Sequence, residues 1–172
     1  AYTCGAGLVS ARAGARVLNL DHSGAHLDVG RDNAGLNGLE MSYLQEDFLC
    51  AVRQFAGLRV RHKRGMRRYR PRTFDLIVLD PPTLTRGPFG AVDIVRDYPS
   101  LLKPCLLCLS PGGAVVATHH SSQTSWAEWM DVVKRCADKA GRPIREVERI
   151  EVEADFPSFD GEPPLKMAVL RV

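Results

Sequence analysis

Nothing in this 172-residue sequence approaches the roughly 20 consecutive apolar residues that a membrane-spanning helix needs, and no basic-then-apolar leader opens it. A secreted or membrane-inserted protein is therefore not expected, and the expected location is cytoplasmic. Cysteine is sparse and patternless: Cys4, Cys50, Cys105, Cys108 and Cys136 are an odd number, and the single CxxC, Cys105 with Cys108, has no second pair to complete a metal site. The expectation is reduced, mostly buried thiols and no metal. Internal repeats and low-complexity stretches are absent, as is any linker long enough to split a chain of single-domain length. Residues 1–172 read as one domain with one core.

The net charge of +3 hides an asymmetry. Eight Lys or Arg and no acid occupy the fourteen positions of "RVRHKRGMRRYRPR", Arg59 to Arg72, and removing those eight leaves the remainder at −5. Such a block is either a solvated loop or a phosphate-contacting patch, with Tyr69 available to stack on a base.

Short apolar runs alternate with helix-period segments. "ARVLNLD" (Ala15 to Asp21), "EMSYLQED", "FDLIVLD" and "GGAVVATHH" read as strands, the first three separated by helices that include "FLCAVRQFA" and a segment capped by Ser23 and stopped by Gly38. "AVDIVRDYPSLLKPCLLCLS" reads as a helix bent or divided by Pro99 and Pro104, and "SWAEWMDVVKRCADKAG" as an amphipathic helix capped by Ser125. "REVERIEVEA" and "LKMAVLRV" close the chain as an antiparallel pair. Continuously apolar strands alternating with helices call for a mostly parallel sheet covered on both faces, an α/β three-layer sandwich.

In open sheets of this kind ligands lie beyond the carboxyl ends of the strands. Those ends carry Asp21, Asp47, Asp80, and His119 with His120. Ahead of the first, "AYTCGAG" places glycines at a helix start, where backbone can approach a ligand, and Asp21 can accept two hydrogen bonds from ribose hydroxyls. A nucleoside-bearing cofactor is the expectation. At the third strand, "FDLIVLDPPTLTRG" halts on Asp80, and Pro81 and Pro82 forbid regular continuation, so that something there is held in a fixed pose. The loop "TLTRGPFGAV" reads as mobile. A nicotinamide oxidoreductase also uses glycines and a strand-end acid, but the full GxGxxG fingerprint and a Tyr-x-x-x-Lys pair are missing.

"DPPT" (Asp80 to Thr83), "DIVRDY" (Asp93 to Tyr98) and "NAGLNGL" (Asn33 to Leu39), in the order "YT-x-G … GARVLNLDHS … ED … FDLIVLDPPT", resemble class I S-adenosylmethionine-dependent methyltransferases, specifically the bacterial 23S ribosomal RNA large-subunit enzymes of the K/L and I type. The resemblance runs along essentially the whole chain. It implies a Rossmann-like sheet with antiparallel last strands and S-adenosylmethionine at the strand ends. Because the chain opens with Ala1 inside the glycine loop, the resemblance also implies that the first central strand, and an upstream RNA-binding domain or segment, precede it.

By position, the resemblance places Tyr2, Thr3, Gly5 and Gly7 near the amino acid part of the cofactor and Asp21, followed by His22 and Ser23, at the ribose. Asp47 and Phe48 would lie near the adenine, and Asp80, Pro81 and Pro82 would wall the methyl donor from the target base. Thr83, Arg86, Arg96, His119 and His120 are the candidates for substrate contact. Cys4 stands where the family usually has glycine, which would narrow the cofactor loop.

Methylation of carbon 5 of cytosine, the I-type reaction, needs a cysteine thiolate, and "VVATHHSSQTS" after the relevant strand has none. Methylation of a base nitrogen needs chiefly alignment. The resemblance therefore points to the K-type reaction, at N7 of a guanine in 23S ribosomal RNA. The cytosine reaction, or a catalytically silent RNA-binding module on the same fold, are the alternatives.

Overall fold

The computed structural model describes all residues except 61–66, 88–89, 154–157 and 159–162; for 85–87 and 90 only the backbone is described. It divides into two compact units, Ala1–Ala51 and Val52–Val172.

In the first unit, helix α1 (Gly5–Arg12) precedes strand β1 (Leu18–Asp21), helix α2 (Gly24–Leu36) and strand β2 (Ser42–Gln45). β1 and β2 pair in parallel, Leu18 opposite Ser42 and Asp21 opposite Gln45, with α2 as the crossover between them. Ser23 caps α2 by accepting from the His26 amide at 3.3 Å. Helix α2 buries Leu27, Gly30 and Ala34. Two glycines are dictated by close approach: a Cβ at Gly7 would overlap the Asn19 side chain, and one at Gly30 would overlap the Cys4 side chain. The absence of a Cβ at Gly7 thus lets α1 pack on β1.

Helix α3 (Phe48–Phe55) starts on Asp47, whose Oδ1 accepts from the Cys50 amide at 2.9 Å. Phe55 then packs edge-on against both Tyr69 and Phe74, with ring centroids 5.6 Å apart in each case. The Tyr69 ring therefore has a protein neighbour in Phe55. Positions 61–66 of the basic segment lie outside the described residues.

The second unit carries strand β3 (Phe74–Leu79), a hairpin of β4 (Leu84–Gly87) and β5 (Gly90–Asp93), helix α4 (Ile94–Leu107), strand β6 (Leu109–His120), helix α5 (Trp126–Lys139), and strands β7 (Glu146–Ile150) and β8 (Leu165–Arg171). The sheet order is β3-β6-β8-β7, with β3 parallel to β6 and the last two pairings antiparallel. Among the described residues β3 is hydrogen-bonded along one edge only, to β6, and its Leu76 and Val78 are 49% and 44% exposed.

Three expectations change. The segment after DPPT, expected as a loop, contains the antiparallel β4-β5 hairpin, in which Leu84 pairs with Asp93 and Gly87 with Gly90. "AVD" belongs to that hairpin, so α4 begins at Ile94, and it runs unbroken through Pro99 and Pro104. The strand read as "GGAVVATHH" starts earlier, at Leu109, so that Pro111 lies inside β6, where the register against β3 shifts between Phe74 and Leu76.

The core of this unit is built on Tyr98, Leu102, Leu106, Val115, Trp129, Val133 and Leu170, all at most 1% exposed. All five cysteines of the chain are buried, as expected. Among the described residues, no helix is long and apolar enough to cross a membrane, and no group of three or more His, Cys, Asp or Glu side chains is placed to hold a metal ion.

Candidate functional site

In the first unit, Asp21 ends β1 with its side chain 10% exposed. Its Oδ2 accepts from the Ala1 ammonium and the Tyr2 amide, each at 2.8 Å, and its Oδ1 from the Ser23 amide at 2.9 Å. Burial pushes this carboxyl up, but the Ala1 ammonium and the two amides outweigh it and bring it down to about 2. The group is a fixed, ionised acceptor, with Nδ1 of His22 and of His26 3.5 and 3.6 Å from Oδ1.

Tyr2 is 70% exposed, its ring edge-on to His26. Both Tyr2 and Cys4 have positive φ, 43° and 64°, the left-handed backbone that glycine adopts freely. Cys4 thus holds a conformation that favours glycine, and its side chain is buried against Gly30. The first intrahelical bond of α1 runs from the Leu8 amide to the Cys4 carbonyl, leaving the amides of Gly5 to Gly7 without intrahelical acceptors. A Cβ at Gly5 would meet nothing within 4 Å.

These groups fit a nucleoside cofactor carrying an amino acid. An ionised carboxylate suits a ribose diol, and open helix-start amides beside Thr3 and Gly5 suit a carboxylate. Ser23 is committed to capping α2, Asp47 to starting α3, and His22 projects into solvent with an 80% exposed side chain.

In the second unit, Asp80 follows β3 and is succeeded by a buried Pro81 and an exposed Pro82. Its Oδ1 accepts from the Thr118 hydroxyl at 2.5 Å and meets His120 Nε2 at 2.7 Å. The His120 bond leads in lowering the Asp80 carboxyl, burial opposes it, and the Thr118 bond adds to the lowering. Thr83 joins the group by donating its hydroxyl to the His120 carbonyl at 3.1 Å.

His119 does not belong to this cluster. It is 1% exposed and packed between Tyr98 and Trp129, at centroid distances of 5.5 and 5.8 Å. Burial, followed by the Lys166 charge, pushes it down to about 4, so it is a neutral core residue. Its proposed contact with substrate is corrected accordingly: alternation along β6 turns it inward. Arg96 is exposed on α4, and Arg86 lies on β4 with its side chain outside the described residues. Asp93 and Asp97 serve the start of α4, Asp93 Oδ1 accepting from the Val95 amide at 2.9 Å and Asp97 Oδ2 from the Asp93 amide at 3.1 Å.

Sequence reasoning missed Thr118. Its only signal was its place two residues before His120, on the same face of a strand.

The chain is 32% identical over 163 residues to the ribosomal RNA large subunit methyltransferase I of Vibrio cholerae, covering 94% of this chain and 39% of that protein. With the protein of the same name from Shewanella denitrificans it shares 31% over 178 residues, covering 99% and 42%. The chain thus spans about two fifths of the length of the curated relatives it matches. Among solved structures, the methyltransferase SMU.776 complexed with SAH superposes with a TM-score of 0.77 at 18% identity, over 99% of this chain and 43% of that one. A methyltransferase from Pyrococcus furiosus gives 0.57 at 15%, over 96% and 66%. These show the Rossmann-like methyltransferase fold. The profile described as S-adenosylmethionine-dependent methyltransferase matches residues 1–171, and the chain belongs to that family.

Proposed function

We propose that residues 1–172 are the cofactor-binding and methyl-transferring domain of an S-adenosylmethionine-dependent enzyme that methylates a base nitrogen of large-subunit ribosomal RNA. The acceptor we assign is N7 of a guanine in 23S RNA, without a covalent enzyme–base intermediate. An upstream RNA-binding domain or segment would help select the target, and the cytoplasm is where it would act. The names of the relatives support the RNA substrate.

The observation that carries this reading is the Asp80 cluster: an ionised, partly exposed carboxylate fixed at a strand end and followed by two prolines. In the bound state the cofactor supplies an already activated methyl group, so the chain's residues need to align and stabilise more than to react. Asp21 would hold the ribose hydroxyls, Tyr2, Thr3 and Gly5 the amino acid part, and Phe48 beside Asp47 the adenine. Asp80, Pro81 and Pro82 would form the wall against the base, with Thr83, His120, Arg86 and Arg96 on the RNA side. The basic segment Arg59 to Arg72 would add phosphate contacts.

A second reading, methylation of cytosine C5, is favoured by the relatives being named type I, the type whose reaction at C5 needs a thiolate. Against it, all five cysteines are buried, and burial pushes the thiols of Cys105 and Cys108 up, the latter to about 11.

The test is transfer of labelled methyl from S-adenosylmethionine to 23S RNA by the full-length protein, followed by nucleoside analysis. 7-Methylguanosine is the expected product, and 5-methylcytidine would establish the second reading. Asp80→Ala should abolish transfer with the fold intact. Asp21→Ala should weaken cofactor binding by about tenfold or more, the loss typical of charge-assisted hydrogen bonds. No binding of the cofactor by the wild-type protein would refute both readings.

A further inference from the structure

The Asp80 carboxylate is held asymmetrically. Thr118 and His120 are two residues apart on β6, hence on one face of the sheet, and β6 lies beside β3 with Ala117 opposite Leu79. Both bonds they make to Asp80 end on Oδ1, and the two holders also touch each other, Thr118 Oγ1 to His120 Nε2 at 3.3 Å. With Asp80 ionised, the donor at His120 is Nε2–H. Each holder is anchored in turn: the Thr118 carbonyl receives the Tyr98 hydroxyl at 3.0 Å, and the His120 carbonyl receives the Thr83 hydroxyl at 3.1 Å. Oδ2 of Asp80 has no protein donor among the described residues, and the side chain is 59% exposed.

We propose that Thr118 and His120 are positioning residues for methyl transfer, acting through Asp80: by occupying Oδ1 they fix the carboxylate's rotamer and leave Oδ2 as its single acceptor for the incoming base. The proposal rests on the reading of Asp80 given above. As the acceptor nitrogen's lone pair would form the new N–C bond, the methyl–sulfur bond of the cofactor's sulfonium would break with its electron pair left on sulfur, so that the base would gain the positive charge and no proton would leave N7. A carboxylate oriented beforehand stabilises that charge without reorganising, whereas a freely rotating one must be ordered during the reaction. Loss of either holder should therefore appear in kcat more than in the KM for the cofactor. His120 need not accept a proton for this role.

The test uses the full-length protein and the variants Thr118→Val, Thr118→Ser, His120→Ala and His120→Gln. Gln places an amide nitrogen where Nε2 lies, and Ser keeps the hydroxyl, so these two separate hydrogen bonding from folding. The first readout, without cofactor or RNA, is titration of the Asp80 carboxyl by carbon NMR. It should move up towards the ordinary carboxylate range in Thr118→Val and His120→Ala, and stay near wild type in the other two. The second is steady-state methyl transfer. In Thr118→Val and His120→Ala, kcat should fall by about tenfold or more, with the cofactor KM within about twofold, as expected when a transition-state contact is lost. His120→Gln should recover most of the loss. An Asp80 titration identical in wild type, Thr118→Val and His120→Ala overturns the proposal, as does unchanged kcat in both. A wild-type protein that transfers no methyl group while the titration shifts as described refutes the methyltransferase reading and leaves the hold on Asp80 established.

Discussion

The Tyr98 hydroxyl donates to the Thr118 carbonyl at 3.0 Å inside the core, so α4 fixes by one hydrogen bond the very residue that holds Asp80. The ring of Tyr98 also stands edge-on to Trp129, 5.8 Å away. Burial raises the phenol well above its ordinary range, so the group stays a protonated donor at any working pH.

Replacing Tyr98 by Phe keeps the ring packing and orphans a buried carbonyl. We expect a loss of about 1–2 kcal/mol, read as a lower denaturant midpoint at unchanged m-value. Because the lost bond ends on Thr118, turnover should also fall, whereas a purely distant core change would leave kcat alone.

His119 makes the fold acid-sensitive in a defined window. Its folded value of about 4 lies below the ordinary 6.5, so above pH 6.5 it is neutral in both states and costs nothing. Between about 6.5 and 4 the unfolded chain takes up a proton that the folded one refuses, and stability falls with pH, by a total on the order of 3 kcal/mol. The neighbouring charges are Lys166 and, when protonated, His120, both of which disfavour a cation at His119. Unfolding measured at pH 7, 5.5 and 4 should show this slope, and His119→Phe should flatten it.

Gly30→Ala should destabilise the first unit by about 1–3 kcal/mol, since the new methyl overlaps the Cys4 sulfur and lies 2.9 Å from its Cβ. Cys4→Gly removes that obstacle and relieves the positive φ at position 4. The double variant should accordingly be more stable than Gly30→Ala alone, a coupling that a double-mutant cycle by thermal unfolding would measure. Strict additivity would show that the two positions do not touch.

At the start of α5, Ser125 and Glu128 form a reciprocal capping box, the Ser125 amide donating to Glu128 Oε2 at 2.8 Å and the Glu128 amide to Ser125 Oγ at 3.3 Å. Ser125→Ala should cost about 1 kcal/mol in chemical denaturation, and Ser125→Asp should restore most of it.

What was readable from sequence follows from how local each signal is. The DPP stop, the Ser23 and Ser125 caps and the closing antiparallel strands depend on residues a few positions apart, and the structure has them where the spacing puts them. His119 and His120 looked equivalent, because only the register of β6 against its neighbours decides which one enters the core. Thr118 was invisible for the same reason, since its partner lies 38 residues away across a strand pairing. The β4-β5 hairpin also depends on pairing, and its glycines and proline argued locally for a loop. Gly7 was noticed for its flexibility, but what requires it is the side chain of Asn19 on the following strand.

The one-sided hydrogen bonding of β3 has a practical side for anyone handling this chain. Among the described residues this strand is paired on one edge, and with Leu76 and Val78 partly bare it is a template for another strand. Preparations of residues 1–172 alone should therefore self-associate as concentration rises, and a charged substitution at Val78 should delay that. Assays of ligand binding on this chain are best made dilute, where turbidity cannot pass for weak affinity.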